Sequence, residues 1–484
     1  MLKEALNRLS KNTIIYGIGG VLSRLASFLL LPFFTEVLTK KDYGIFALIM
    51  LLTVGLNGLL TLGTGNSLGI LYFSEDRLEN RPTLIWSSFI LLVVNGIFWS
   101  IIMWFLSPFL SSLMFQSPEY SELIKLAMLT SILVAAIDPW LAYLRMEELA
   151  FKYLCLTLSF TILQIALTAV LVLNLEMGVL GLVLAGTICA IINLILSWFF
   201  VGRKINFRVD LKLFFPLVRI GFPSIFGLFA FLVIDYGDRQ MIERMLGLDD
   251  LGVYSIGYSF GMVIIIATSA FGTAWSPFFM SYIKRTDEAS RVFGRVLTYY
   301  FIVLGSLVIL FFWVAKPLLV VMTAEKFHEA WVVVGLVAGG YMLKGCYLIF
   351  LPGIYFAKKL YLQSMIEWVV ATLNIFLNLW LINIYGILGA AIATFLSYLS
   401  LSVFAWFVAR NYLRVDYEWL RLALGSTLVI TASFALYQLS QYFSPEIFEI
   451  FFYGMIVCAI YFVITFMFLL KDEERLFLYR KMGL

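Results

Sequence analysis

The sequence predicts an all-α polytopic membrane protein. About 14 transmembrane helices would form two parallel six-helix lobes plus two C-terminal helices. Three observations carry that expectation. Of 484 residues, 62% are hydrophobic and only 13% are charged, whereas globular chains average about 45–50% apolar and about 25% charged. The apolar residues come in runs long enough to span a bilayer, with mean hydropathy +0.97. The chain also matches itself at an offset of 208 residues, as when Asp42 is aligned with Asp250. This composition excludes a soluble enzyme and a disordered chain. A membrane β-barrel would instead alternate apolar and polar residues.

A spanning helix takes about 20 mostly apolar residues, so 14 helices need roughly 280 of the roughly 300 apolar residues available. The runs place spans 1 to 14 at roughly 12–38, 43–72, 84–107, 122–144, 153–174, 178–201, 215–245, 252–283, 296–322, 331–356, 362–384, 386–409, 419–440 and 447–470. Pro82, Pro108 and Pro317 are expected to mark span ends. Pro32, Pro139, Pro223, Pro277 and Pro352 fall inside spans, where proline can kink a helix and free backbone groups. The first residues, 'MLKEALNRLSKN', have no small-residue cleavage box and put Leu2, Ala5, Leu6 and Leu9 on one face. They read as a short interfacial helix.

Orientation follows from the basic residues. With the N-terminus inside, 25 of the 34 Lys and Arg fall on the inner side, among them Arg203, Lys204, Arg208, Lys212 and Arg219 between spans 6 and 7. Six fall outside (Lys40, Lys41, Lys125, Arg244, Lys316, Lys326), and three lie within spans (Arg24, Arg239, Lys344). Positive charge is retained on the cytoplasmic side. Both termini are therefore expected in the cytoplasm, and an even span count is required. The net charge of +4 is too small to suggest nucleic acid as a partner.

The repeat rests on three separated segments in one register. 'DYGIF' at Asp42 aligns with 'DLGVY' at Asp250, and 'GVLGLVLAGT' at Gly178 with 'GILGAAIATF' at Gly386; Tyr153-Leu154 aligns with Tyr361-Leu362. Each copy holds six spans. An even number makes the copies parallel, so their pseudo-twofold axis would lie along the membrane normal, with substrate between the halves. The expected division is 1–210, 211–417 and 418–484, the last being helices 13 and 14 with a cytoplasmic tail.

Ionisable residues at membrane depth are costly and usually face a cavity or a partner. Arg24 lies mid-span in helix 1. Its planar guanidinium suits phosphate oxygens, though a helix-packing arginine would look the same. Span 7 carries 'IDYGDRQMIER', where Asp235 and Arg239 are spaced i,i+4 and can pair. Asp238 lies a turn after Asp235, and Arg239 can also reach Glu243. The bland alternative is a self-neutralising structural cluster. Lys344 and Glu367 are the other deep charges. Asp138 precedes Pro139 and is either a proton carrier or an acceptor for backbone groups that the proline frees. Trp140, Tyr143, Tyr236, Tyr258 and Trp275 lie nearby; they could stack on sugars, but packing or interface-belt roles are commoner. The substrate-binding candidates are Arg24, Arg239, Lys344, Tyr236 and Trp140. The ion-coupling candidates are Asp138, Asp235, Asp238 and Glu367.

Catalytic patterns are missing. The sequence has no Walker A run, no Gly-x-Ser-x-Gly and no His-Glu-x-x-His, and it holds one histidine, His328. The four cysteines (Cys155, Cys189, Cys346, Cys458) sit in apolar runs without metal-ligand spacing. Energy would have to come from an ion gradient or the membrane potential, worth about 2.3 kcal/mol per charge per 100 mV.

The stretch 'GIGGVLSRLASFLLLPFFTEVLTKKDYGIFAL', with Arg24, Pro32, Tyr43 and Gly44, resembles the start of polysaccharide-transporter (O-antigen-type) flippases of the multidrug/oligosaccharidyl-lipid/polysaccharide (MOP) exporter superfamily. 'DRQMIERMLGLDDLGVYSIGY' (Asp238 to Tyr258), 'AWSPFFMSY' (Ala274 to Tyr282) and 'GILGAAIATFLSY' (from Gly386) are similar to later parts of that family. The resemblance implies two six-helix lobes around a cavity, often with two added helices. It implies flipping of an isoprenoid diphosphate-linked oligosaccharide to the outer leaflet, a cationic cavity, and coupling to H⁺ or Na⁺ in some members. Arg24 carries over by helix and position; the residue 208 later is Leu232.

The expected function is therefore flipping of an undecaprenyl-type diphosphate-linked oligosaccharide in a bacterial inner membrane, without a resident cofactor. Its partners would be that glycolipid, membrane lipids and polysaccharide polymerase machinery. The alternatives are a cation-coupled drug exporter, which an acidic cavity would favour, and a flippase for a peptidoglycan precursor. A membrane-bound polymerase or glycosyltransferase would need a larger outer loop than residues 107–121 supply.

Overall fold

In a computed structural model, the structure describes residues 31–74, 81–147, 149–202, 207–280, 282–283, 285–442 and 447–469. Regular structure among them is helical throughout, with no strand. Contacts divide the chain into two compact units, Met1–Gly252 and Val253–Leu484. The first contains α1 (Leu31–Val37), α2 (Lys40–Thr61), α3 (Thr64–Ser74), α4 (Arg81–Phe115), α5 (Ser121–Met146), α6 (Ala150–Thr168, continued by a π turn), α7 (Gly178–Val201) and α8 (Phe214–Met245). Helix α9 (Leu248–Gly261) begins there and ends in the second unit. That unit continues with α10 (Ile265–Met280), α11 (Thr286–Met322), α12 (Trp331–Phe350), α13 (Pro352–Phe356), α14 (Tyr361–Ala409), α15 (Trp419–Tyr442) and α16 (Ile447–Ile464).

Among the described residues, 10 helices are long and apolar enough to cross a membrane. The pair Leu211–Phe222 and Ile225–Met245, bent by 44°, makes an eleventh. The run α14 counts once, although Gly386 (φ 58, ψ −136) breaks it into the two expected spans 11 and 12. Most of span 1 and the amphipathic segment before it lie outside the described residues.

Several boundaries differ from the sequence reading. Pro108 does not end span 3; α4 runs on to Phe115. A proline leaves the carbonyl four residues back without its N–H partner. Here that carbonyl belongs to Trp104, and the Ser107 hydroxyl donates to it at 3.1 Å. Pro317 likewise lies inside α11, which starts ten residues earlier than expected at Thr286. Span 2 is two helices. Leu62 (φ 50) and Gly63 (φ 67) are left-handed and separate α2 from α3. A broken helix at membrane depth must have its freed carbonyls satisfied. Asn95 of α4 donates its amide to the Leu59 and Leu60 carbonyls at 3.0 and 2.9 Å. Thr64 donates to the Thr61 carbonyl at 2.7 Å.

The first unit buries an aromatic core of Tyr72, Trp140 and Tyr143 with Leu84, Ile85, Leu144 and Leu156. A smaller cluster joins Leu56 and Leu60 of α2 to Met103 of α4 and Met128 of α5. In the second unit α12 is the central helix. Its backbone carbonyls at Met342, Leu343 and Leu348 accept from Tyr300, Ser402 and Trp275 at 3.0, 2.7 and 2.9 Å. The C-terminal helices are tied to this unit at both ends. Arg421 pairs with Glu418 at 2.7 Å and caps the Leu469 carbonyl, while Thr298 of α11 donates to Glu418 at 2.9 Å. Lys316 of α11 donates to the Ser440 carbonyl of α15.

The internal repeat has structural echoes. Gly178 and Gly386, 208 residues apart, are both left-handed, with φ 56 and φ 58. Only glycine adopts that backbone cheaply. The loop after α7 ties back through Asp210 N–H to Ser87 Oγ at 3.0 Å. The loop after α14 does the same through Asp416 N–H to Ser290 Oγ at 3.1 Å.

Candidate substrate and ion sites

Helix α8 presents the first polar group. Its 3.6-residue period brings residues 235, 238, 239 and 243 toward neighbouring faces. Asp238 is fully buried, and the Arg239 Nη1 lies 3.0 Å from its carboxylate. The same nitrogen donates to the Asp235 backbone carbonyl at 2.7 Å, so Arg239 reaches Asp235 through the main chain. The guanidinium sits 4.5 Å over the Tyr236 ring. Asp235, Tyr236, Asp238 and Arg239 thus form one group. Glu243, one turn on, is also buried. It accepts from Gln116 and Gln240, each at 3.0 Å. The sequence reading had missed Gln116, which is 127 positions away in sequence.

The second unit holds a different group. The Lys344 ammonium is 3.2 Å from the Tyr398 hydroxyl and lies 5.4 and 5.2 Å from the Tyr341 and Tyr398 ring centres. An ammonium against aromatic faces is held by the ring quadrupoles. Tyr341 in turn bonds Tyr258, hydroxyl to hydroxyl, at 2.8 Å. Glu367 is buried and accepts from Tyr347 at 2.8 Å and Gln363 at 2.9 Å. The Lys344 charge reaches this carboxylate. Lys344 and Glu367 are therefore neighbours in one polar group, each with tyrosine partners.

An uncharged cluster lies on α14. Asn374 Nδ2 donates to Ser397 Oγ at 3.0 Å, and Asn378 Nδ2 donates to the Asn374 carbonyl and side-chain oxygens at 3.0 and 3.1 Å. All three residues are fully buried. Among the described residues, the Asn378 Oδ1 has no hydrogen-bond partner. A search for charge passes over this cluster; the i,i+4 asparagines in 'NIFLN' were its only signal.

Asp138 sits apart from both groups, half-buried, with Arg145 Nη2 at 3.9 Å. Its carboxylate lies against Gly65, at the start of α3. A carboxylate there complements the positive end of a helix. Trp140 is buried among Phe89, Trp198 and Trp86, with ring centres 5.3, 5.7 and 6.4 Å away. That position gives it a packing role in the core. Arg24 lies outside the described residues. Among the described residues, no group of three His, Cys, Asp or Glu could hold a metal ion.

These are polar groups paired inside apolar helices. Solved structures agree on the fold. A lipid II flippase MurJ in an inward closed conformation matches with TM-score 0.73 and 14% identity, over 95% of this chain and 99% of that one. An inward-facing multidrug resistance MATE family transporter of the MOP superfamily matches with TM-score 0.65 and 13% identity, over 81% and 94%. A curated relative, the Lsg locus putative protein 1 of Haemophilus influenzae, is 24% identical over 290 residues, which is 57% of this chain and 67% of that protein. Residues 9–283 match the family described as polysaccharide biosynthesis protein, and the chain belongs to that family. The family match gives a polysaccharide-biosynthesis setting, and the flippase and MATE structures share the fold.

Proposed function

We propose that the protein flips an isoprenoid (undecaprenyl-type) diphosphate-linked oligosaccharide from the cytoplasmic to the outer leaflet by alternating access. The observation that carries this reading is the half-buried Lys344 with its tyrosine faces. One cation can take a diphosphate oxygen, and neighbouring aromatic rings suit sugar faces. Family membership supplies the polysaccharide setting. Arg24 is proposed as a second diphosphate ligand, on its residue type and place in the sequence. The membrane would be the bacterial inner membrane, with both termini cytoplasmic, as the basic-residue count requires.

Coupling to H⁺ or Na⁺ is part of the proposal. Glu367 is the proton candidate, because its buried carboxylate has hydroxyl and amide donors in place. The Asn374, Asn378 and Ser397 oxygens are the candidate for a hard monovalent cation, which prefers oxygen ligands. The test is transbilayer movement of a fluorescent polyprenyl-diphosphate oligosaccharide in proteoliposomes, under an imposed H⁺ or Na⁺ gradient. Wild type should move it, while Lys344→Ala and Arg24→Ala should move it several-fold to about tenfold more slowly. Equal rates in all three at equal incorporation would remove the diphosphate role. A second reading, flipping of a peptidoglycan lipid precursor, is favoured by the likeness to MurJ over nearly the whole chain. Offering both lipids in the same assay separates the two.

A further inference from the structure

Residues of both sequence repeats meet inside the first unit. A Cβ on Gly44 would overlap the Leu248 carbonyl, and a Cβ on Gly252 would overlap the Lys40 carbonyl. Residues 248 and 252 lie 208 positions after 40 and 44. The two contacts are therefore copies of one another, as a twofold relation requires. They bring the first turns of α2 and α9 into backbone contact. Beside them, Lys41 of the first repeat has Tyr120, Glu119 and Asp249 as electrostatic neighbours.

A polar lock lies at the same end. Glu243 of α8 belongs to the second repeat, and it is buried against the end of α4 in the first. Gln116, left-handed at φ 56 just past α4, donates to Glu243 at 3.0 Å. Gln240 bonds both Glu243, at 3.0 Å, and the Met114 carbonyl, at 3.2 Å. Arg244 lies 3.5 Å from Glu243 and caps the Leu113 carbonyl. The last carbonyls of α4 are thus capped by α8, a helix that comes from the other repeat. Leu251, beside the crossing, is fully buried.

We propose that Glu243 and the reciprocal glycine crossing form a latch that joins the outer ends of α2, α4, α8 and α9, and that it must release for the outward-facing state. This rests on the alternating-access reading and on the orientation given above. Glu243 centres the polar half, because donors on both sides of the repeat boundary converge on it. Gly44 and Gly252 centre the apolar half, because any side chain would push the helix ends apart.

The test places one cysteine at Leu251 in a protein whose four native cysteines are replaced, and follows its labelling by a membrane-impermeant maleimide. Labelling should be slow in the parent and faster in Glu243→Gln, Gln116→Ala and Gly44→Ala. A lost charge-assisted hydrogen bond shifts such a ratio by about tenfold to a hundredfold. Gln116→Ala removes only one neutral donor and keeps the test open if Glu243→Gln fails to reach the membrane. Labelling at the parent rate in every variant overturns the latch. Faster labelling with no movement of any lipid-linked glycan leaves the latch standing and removes the flippase reading. Glycan movement in the parent with unchanged labelling does the reverse.

Discussion

The break in span 2 makes a strong demand on one residue. Asn95 is the side chain on α4 whose amide reaches the Leu59 and Leu60 carbonyls, at 3.0 and 2.9 Å. Replacing it with leucine keeps the volume and the apolar surroundings but strands both carbonyls. Leu60 is fully buried, so water does not reach that site readily. Hydrogen bonds between membrane helices average about 0.6 kcal/mol in measured cycles, which sets a floor of about 1.2 kcal/mol for two. A buried carbonyl left unsatisfied costs about 1–3 kcal/mol, so the ceiling is about 4 kcal/mol if only part of the structure relaxes. Asn95→Leu should therefore lower stability by about 1–4 kcal/mol. Asn383→Leu is the control, because that exposed side chain bonds only its own helix, at the Leu379 carbonyl. Unfolding of purified protein in mild detergent, followed by size-exclusion of the folded fraction, reads the difference. If Asn95→Leu unfolds with the control, capping of the break by Asn95 is refuted.

Three further outcomes follow from the same geometry. Lys344→Ala should reduce glycolipid movement several-fold to about tenfold, with Lys344→Arg partly restoring it, since a half-buried cation on aromatic faces is worth about 1–2 kcal/mol; unchanged flux in both would exclude a substrate role. Gly386→Ala and Gly178→Ala should each cost about 1–3 kcal/mol, because an alanine must hold a strained positive φ; thermal unfolding of the two variants checks this, and equal stability with wild type would contradict it. Arg421→Ala removes the cap on Leu469 and the partner of Glu418, which is mostly buried, so α15 and α16 should loosen by about 1–3 kcal/mol; limited proteolysis of the purified variant should speed up, and an unchanged digestion pattern would count against the clamp.

Much of the fold was legible because the bilayer makes hydrophobicity nearly decisive. Apolar runs placed most helices, and one shared register exposed the duplication. What escaped was local and polar. The break at Leu62–Gly63 needed Asn95, which lies 33 positions further on, and nothing in the sequence tied the two together. A missing N–H usually ends a helix, so Pro108 reads as a terminus; Ser107 supplies the missing donor instead. Charges drew the reading to Asp235, Asp238, Arg239, Lys344 and Glu367. The structure gathers all five into two groups and shows Asp238 as the carboxylate on Arg239. The partners that define those groups are uncharged: Tyr341, Tyr398, Tyr347, Gln363 and Gln116. Helix packing brings them in, and a scan for charge gives them no weight. Trp140, two positions from Asp138, fills the core, the commoner role for such an aromatic.

The duplication itself separates what the two halves share from what they do not. The shared features are devices of the backbone. Gly178 and Gly386 make the same left-handed turn. Ser87 and Ser290 hold matching loops. Gly44 and Gly252 make the same close approach. The polar residues follow no such rule. At the same offset Lys344 faces Ala136, Glu367 faces Ser159, Asn374 faces Ala166, and Asn378 faces Val170. Arg239 corresponds to Leu31, and Asp138 to Cys346. Symmetric backbones give a chain two equivalent ways to pack, and hence two states of similar energy. Equal side chains in both halves would leave a ligand with the same contacts in either state, and such a ligand shifts no equilibrium. The unequal polar residues are what allow a substrate or an ion to favour one state over the other. On this argument, placing a lysine at Ala136 to restore symmetry should weaken transport even if it strengthens binding.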